Sequence, residues 1–144
     1  MTRSLSRRLW GSAVALLFTL GACGEGEVDP TDEGPRIITE GADVVACADV
    51  DPVETVRMQN NSFLPHVVLV EVNEVVRFVN EDTMPHTVTS GSPGLPEAGE
   101  AFDSGQLAPG DEFCLRFVQP ETYVFHCTLH PEEMREALVV VSEP

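Results

Sequence analysis

The chain has 144 residues, enough for one ordinary domain but too few for two that each bury a core of their own. Its 42% hydrophobic content excludes a disordered chain, and 11 glycines without a repeating period exclude a collagen-like one. With 24 acidic against 8 basic residues the net charge is −16, which also excludes a protein that binds the phosphate backbone of nucleic acids.

The N-terminus has the organisation of an export signal. Three arginines precede an apolar run over residues 9–20, which is too short to span a bilayer permanently. The stretch from Leu20 to Cys23 resembles the bacterial lipobox, where cleavage precedes a cysteine whose thiol is acylated. We therefore expect a signal peptide over 1–22 and a lipid on Cys23, with a plain signal peptide and an incidental cysteine as the alternative. The pair Arg7-Arg8 leaves both the general and the twin-arginine export routes open.

Residues 24–35 are mostly Gly, Pro and acidic residues with almost nothing apolar, which is typical of a flexible tether, here over 23–35. The folded domain is expected over 36–144. The protein would then be exported and held on a membrane, facing the periplasm or the cell exterior.

Apolar residues of the domain recur with the period of two that is typical of strands. Val68, Val70 and Val72 share one face, and Val76 with Phe78 continues the pattern. Further short runs rich in Val, Phe and Tyr occupy 112–119, 122–127 and 137–142. Residues 91–100 read as a long polar loop, and 131–136 as one helical turn. These elements predict an all-β protein, an antiparallel β-sandwich.

Three soft metal ligands follow one of the predicted strands. Cys127, His130 and Met134 offer a thiolate, an imidazole and a thioether within eight residues. Two imidazoles, one thiolate and a weak axial thioether form the trigonal site of blue copper proteins. His86, just after another predicted strand, is the natural source of the second imidazole.

Several segments together resemble the cupredoxins, the small blue-copper proteins of the plastocyanin, pseudoazurin and amicyanin type. Segments 56–58, 63–65, 75–80, 86–88, 102–105, 107–110 and 123–127 stand in that family's order. The resemblance implies a two-sheet Greek-key sandwich with one copper ion at one end, bound by His86, Cys127, His130 and Met134.

The chain also departs from the family pattern. Two residues separate Cys127 from His130 and three separate His130 from Met134, which is a hybrid loop length. Asn73, Glu121 and Glu136 replace glycines; Asn tolerates positive φ but Glu does so poorly, so the turns at the two glutamates need not follow the family's.

Thr87 stands where relatives often have the Asn that ties the two ligand loops together. We expect its hydroxyl to take over that function, and we expect Thr128 and Asn80 to support the ligands in the same way.

Strand alternation assigns faces to the cysteines and to one histidine. Cys127 shares its face with two aromatic residues and points into the core, whereas His126 is expected to be an outward surface residue. Cys114 points outward, beside Arg116. With Cys23 assigned to lipid and Cys127 to copper, Cys47 and Cys114 are expected to form a disulfide.

The remaining histidine, His66, is expected to be a solvated residue of a strand. Four histidines in all exclude a multicopper oxidase or a two-domain nitrite reductase for this chain alone.

The resemblance also implies an interaction surface. In this family one ligand, here His130, reaches solvent, and its surroundings would be an apolar docking patch of Met84, Pro85, Leu129 and Pro131. The neighbouring Glu132 and Glu133 would favour Cu(II), lower the reduction potential and attract a cationic partner. The other acidic residues are consistent with a solvated face or with saline surroundings.

The sequence thus favours a membrane-anchored, extracytoplasmic one-electron carrier. No substrate turnover is expected, because four protein ligands would fill the coordination sphere of the metal. Its partners would be redox proteins such as cytochromes or a membrane oxidase or reductase, and a monomer is expected. Two alternatives remain: a copper-binding lipoprotein for copper capture, delivery or resistance, and a cupredoxin-like fold with another metal or none.

Overall fold

The computed structural model describes residues 36–37 and 41–144, which form two packed sheets. The expected signal peptide over 1–22, the lipid site at Cys23 and the tether over 23–35 lie outside the described residues. The strands are β1 (Arg36–Ile37), β2 (Ala42–Val45), β3 (Glu54–Met58), β4 (Phe63–Leu64), β5 (Val67–Glu71), β6 (Val75–Asn80), β7 (Thr89–Ser90), β8 (Phe102–Asp103), β9 (Glu112–Phe117), β10 (Thr122–His126) and β11 (Ala137–Ser142).

One sheet has the strand order β1-β8-β7-β10-β11-β5, and the other has the order β2-β9-β6-β3-β4. A short 3₁₀ helix, Cys47–Asp49, follows β2. Among the described residues, no helix is long and apolar enough to cross a membrane. The predicted all-β sandwich is confirmed.

Most strand pairs are antiparallel, as expected, but β3 pairs with β6 and β5 pairs with β11 in parallel. The parallel pairs arise because the chain crosses between the sheets before it returns. β5 belongs to the first sheet, so β6 re-enters the second sheet beside β3 in the same direction. The alternation of apolar and polar residues along a single strand does not reveal such a crossover between sheets.

Aromatic side chains join the two sheets. Phe125 of β10 packs edge-on against Phe63 and Phe78 of the opposite sheet, with ring centroids 4.8 and 5.4 Å apart. Phe117 of β9 lies 4.9 Å from Tyr123 of β10. Each fully buried aromatic contributes on the order of 1.5–3 kcal/mol through removal of its apolar surface from water. These contacts hold β10 firmly in place, and Cys127 directly follows its last residue.

The turns follow the backbone preferences of their residues. In the described part of the chain, the non-glycine residues with positive φ are Asn60, Asn61 and Asn73. Asn73 therefore adopts the conformation that a glycine would favour, as predicted. Glu121 and Glu136 do not, so these two turns are built without a left-handed residue.

Cys47 and Cys114 form the expected disulfide, with an S–S distance of 2.14 Å. Cys114 lies on the outer face of β9, between inward residues Phe113 and Leu115, yet it is buried because the Cys47 segment covers it. The disulfide fastens the chain after β2 to the second sheet.

His66 is exposed, as expected, but it precedes β5 instead of lying within a strand.

Candidate metal centre

His86, Cys127 and His130 converge at one end of the sandwich. Their ligand atoms all lie within 4.8 Å of one another. The sulfur of Cys127 is 3.8 Å from Nδ1 of His86 and 3.6 Å from Nδ1 of His130. His86 and Cys127 are fully buried, whereas His130 is half-buried and so provides the partly exposed side of the cluster.

These separations fit a single metal ion. Bonds of about 2.0 Å to nitrogen and 2.3 Å to sulfur, at tetrahedral to trigonal angles, place the two donor atoms about 3.5–3.7 Å apart. A thiolate with two imidazoles is a soft donor set that suits copper. The residues present therefore fit a copper ion between the sulfur and the two Nδ1 atoms.

The loop that carries Cys127, His130 and Met134 closes on itself through the backbone. Cys127 N–H donates to the carbonyl of Met134 at 3.0 Å, and Met134 N–H donates to the carbonyl of His130 at 2.9 Å. The second hydrogen bond closes a turn of the chain within the segment 131–136, where one helical turn is predicted. Pro131, at the start of this segment, fixes its own φ near the value that such a turn needs. Met134 is buried in the same core cluster as Cys127.

Thr87 joins the two ligand loops. Its N–H donates to the sulfur of Cys127 at 3.3 Å, and its hydroxyl oxygen accepts the N–H of Thr128 at 2.8 Å. The Thr128 hydroxyl lies 3.1 Å away, and the Thr89 hydroxyl donates to Thr87 at 3.0 Å. The hydroxyl of Thr87 thus connects the segment that carries His86 to the segment that carries Cys127.

Asn80 fastens the loop that leads to His86. Its buried side-chain amide donates to the carbonyls of Met84 at 2.8 Å and Leu107 at 2.9 Å, and its oxygen accepts Asp82 N–H at 3.0 Å. The backbone of His86 pairs with Leu107 in both directions, at 3.1 and 2.8 Å. His86 is thus held by its own backbone as well as by its loop.

The sequence analysis missed one residue that contacts a candidate ligand. A carboxylate oxygen of Asp82 lies 3.3 Å from Nε2 of His86. Hydrogen bonds from Asn61 N–H and Thr83 N–H hold the pKa of Asp82 below its ordinary value. Burial holds the pKa of His86 below its ordinary value, even though Asp82 opposes that shift, and a neutral imidazole is the form that binds a metal.

The prediction that His126 is an outward surface residue is wrong. His126 is 2% exposed, and its Nδ1 lies 2.8 Å from the carbonyl oxygen of Gly91. The alternation was correct, since His126 is on the opposite face from Cys127. The predicted polar loop over 91–100 folds over that face and covers it. A cleft of about 480 Å³ lies there, between residues 93–98 and Pro131.

The four residues of the expected docking patch are all exposed. Met84 retains 49% and Leu129 40% of its surface, and Pro85 and Pro131 are also exposed. Leu95, which the sequence analysis did not include, is exposed as well and lines the same cleft as Pro131. The apolar surface therefore extends onto the loop 91–100.

A sandwich with a cysteine and two histidines gathered at one end defines the copper-binding proteins of cupredoxin fold. The family model described as copper binding proteins of the plastocyanin/azurin family matches residues 50–142. The chain belongs to this family, whose cofactor is copper.

The relatives agree with that assignment. Amicyanin from Paracoccus versutus is 29% identical over 122 residues, which cover 83% of this chain and 85% of that protein. The solved structure of an oxidized amicyanin variant is 26% identical with a TM-score of 0.57, covering 72% of this chain and 100% of that one. A purple cupredoxin from Nitrosopumilus maritimus is 25% identical with a TM-score of 0.55, covering 62% of this chain and 99% of that one.

A copper-containing nitrite reductase from Thermus scotoductus SA-01 is also similar, at 30% identity and a TM-score of 0.54. The match covers 66% of this chain but only 24% of the reductase chain. The similarity to this enzyme thus concerns about a quarter of its length.

Proposed function

We propose that this protein is a type 1 copper protein that carries single electrons outside the cytoplasm. The observation that carries the proposal is the position of the Cys127 sulfur, buried between Nδ1 of His86 and Nδ1 of His130. These three residues would hold the copper ion, with Met134 as the axial ligand.

Copper supplies the one-electron chemistry, and the chain fixes the geometry in which it occurs. Thr87 and Asn80 lock the two ligand loops to each other and to the strands, so the ligands would move little between oxidation states. Burial of His86 and Cys127 excludes water from the inner side of the site. Four protein ligands leave no open position for a substrate, which favours electron transfer over catalysis at the metal.

Electrons would enter and leave at the half-buried edge of His130. A redox protein, such as a cytochrome or a membrane oxidase or reductase, would cover the apolar docking patch of Met84, Pro85, Leu129 and Pro131. The exposed Glu132 and Glu133 beside this patch favour a partner with a cationic rim. The carrier would act as a monomer.

The N-terminal sequence supports a location of the carrier on a membrane, outside the cytoplasm. Cleavage before Cys23 and acylation of its thiol would anchor the domain, and 23–35 would hold it away from the bilayer. The disulfide between Cys47 and Cys114 supports an oxidising compartment outside the cytoplasm.

The test is the spectrum of the chain after addition of Cu(II). We expect an intense thiolate-to-copper band in the visible range and narrow copper hyperfine splitting in electron spin resonance. Cys127→Ser should abolish the band and leave the far-ultraviolet circular dichroism of the sandwich unchanged. The control replaces Cys47 and Cys114 with serine, which should keep the band in spite of the lower stability expected from loss of the disulfide.

A pale spectrum of ordinary copper in the native chain, or a band that survives in Cys127→Ser, would contradict the proposal. Copper that passes readily to a chelator and does not cycle between oxidation states would instead support the copper-handling alternative.

A further inference from the structure

The loop between β6 and His86 carries a carboxylate that is held from three directions. One oxygen of Asp82 accepts Thr83 N–H at 2.8 Å. The other accepts Asn61 N–H at 2.9 Å and lies 3.3 Å from Nε2 of His86. Only 17% of the Asp82 side chain is exposed, so it is not an ordinary solvated acid.

The donor from Asn61 belongs to a separate and well-defined element. Asn60 and Asn61 connect β3 to β4, and both have positive φ, 53° and 52°. Gln59 and Ser62, which flank them, exchange backbone hydrogen bonds of 3.0 and 3.2 Å. Two consecutive left-handed residues make the compact turn that suits a two-residue hairpin, and Asn is one of the few side chains that tolerates it. The turn presents its N–H to Asp82 from a fixed position.

The two nitrogens of His86 consequently face two different groups. Nδ1 lies 3.8 Å from the sulfur of Cys127, and Nε2 faces the carboxylate. An ionised carboxylate can only accept hydrogen bonds, so the ring proton belongs on Nε2 and the lone pair on Nδ1 remains free for a metal.

We propose that Asp82 is a positioning residue of the copper site: it fixes the tautomer and orientation of His86 and stabilises Cu(II) relative to Cu(I), and the turn at Asn60 and Asn61 holds it in place. This inference rests on the proposed function. The sign follows from electrostatics, since a negative charge behind the imidazole makes Nδ1 a better donor and favours the more positive copper ion. Removal of the charge therefore raises the reduction potential.

The neighbouring residue provides a matched control. Glu81 carries the same charge in the same loop, but its side chain is 41% exposed and pairs with Arg57 at 3.0 Å. Glu81→Gln thus removes one negative charge without touching His86. Asp82→Asn removes the charge while it keeps the shape and one acceptor oxygen, and Asp82→Ala removes the charge and the hydrogen bond.

The experiment compares these variants in the full chain loaded with copper, by redox titration followed at the visible band. At a fixed poise, Asp82→Asn and Asp82→Ala should increase the ratio of Cu(I) to Cu(II) at least tenfold, which is 59 mV for a one-electron couple. Glu81→Gln should change that ratio less than threefold. Equal shifts in Asp82→Asn and Glu81→Gln would overturn the inference, because only the general charge of the loop would then matter.

A second measurement does not depend on the copper spectrum. Nitrogen-15 chemical shifts of His86 in the metal-free chain report which ring nitrogen carries the proton. The native chain and Glu81→Gln should carry it on Nε2, and Asp82→Ala should shift the population toward Nδ1. A native chain without the blue band would refute the proposed function but leave this test valid, whereas an unchanged tautomer in Asp82→Ala would refute the role of Asp82.

Discussion

Replacing Thr87 with valine tests whether one hydroxyl holds the two ligand loops together. Valine has nearly the same shape, so the change removes the hydroxyl and leaves the packing intact. The bond from Thr87 N–H to the Cys127 sulfur is made by the backbone and survives. The acceptor of Thr128 N–H, at 2.8 Å, is lost, together with the contacts to the hydroxyls of Thr128 and Thr89.

The expected loss of stability comes mainly from Thr128 N–H. A part-buried donor that loses its acceptor costs about 1–3 kcal/mol, whereas the two hydroxyls can rotate toward other partners. We expect the free energy of unfolding to fall by about 2 kcal/mol, which is roughly a 30-fold change in the folding equilibrium. With a urea dependence of about 1–3 kcal/mol per molar, the unfolding midpoint should fall by about 1 M.

The assay is urea unfolding of the metal-free protein, followed by circular dichroism. Thr122→Val is the matched control, because Thr122 is exposed on β10 and the same substitution there should change the stability by no more than about 0.5 kcal/mol. After addition of Cu(II), Thr87→Val should keep the visible band, since the ligands and the bond to sulfur remain. Equal stabilities of Thr87→Val and Thr122→Val would refute the role of the hydroxyl as a tie between the loops.

Two further predictions concern the disulfide and the acidic residues beside the docking patch. The disulfide between Cys47 and Cys114 closes a loop with a sequence separation of 67 residues. In the chain-entropy model, replacing both cysteines with alanine should therefore lower the free energy of unfolding by about 4 kcal/mol. A decrease below about 1 kcal/mol, measured by urea unfolding, would contradict this explanation. Replacing Glu132 and Glu133 with glutamine should raise the reduction potential and slow electron transfer with a positively charged cytochrome at low salt.

The control for the acidic pair replaces Asp49 and Asp51 with asparagine in the segment after β2. These substitutions remove the same charge without altering the ligand loop. Stopped-flow rates at several ionic strengths distinguish the two pairs, because local steering depends on salt more steeply than a change in net charge alone. Identical rates and salt dependences for the two double variants would show that Glu132 and Glu133 have no special function.

The candidate metal site was predictable in part because three of its expected ligands are close together in sequence. Cys127, His130 and Met134 lie within one eight-residue segment. The alternation of side chains along β10 correctly predicted that Phe125 and Cys127 point into the core. The same alternation placed Cys114 opposite the core, where Cys47 could reach it.

The errors and omissions all depend on contacts between distant segments. His126 is buried because the loop 91–100 folds over it, and no property of β10 reveals that cover. Glu81 and Asp82 are adjacent acids, and the contact of Asp82 with the turn between β3 and β4, which distinguishes the two, exists only in the folded chain. The parallel pairing of β5 with β11 likewise depends on the crossover between sheets.

The burial of Cys127 also bears on how the protein survives oxidation. Thiol–disulfide exchange requires a thiolate that can reach a sulfur atom, and Cys127 is shielded once β10 is docked. Before docking, three thiols of the domain compete for partners, and only the pairing of Cys47 with Cys114 spares the third. Two of the three possible pairings consume Cys127, the candidate metal ligand, whereas the completed fold shields that thiol from exchange.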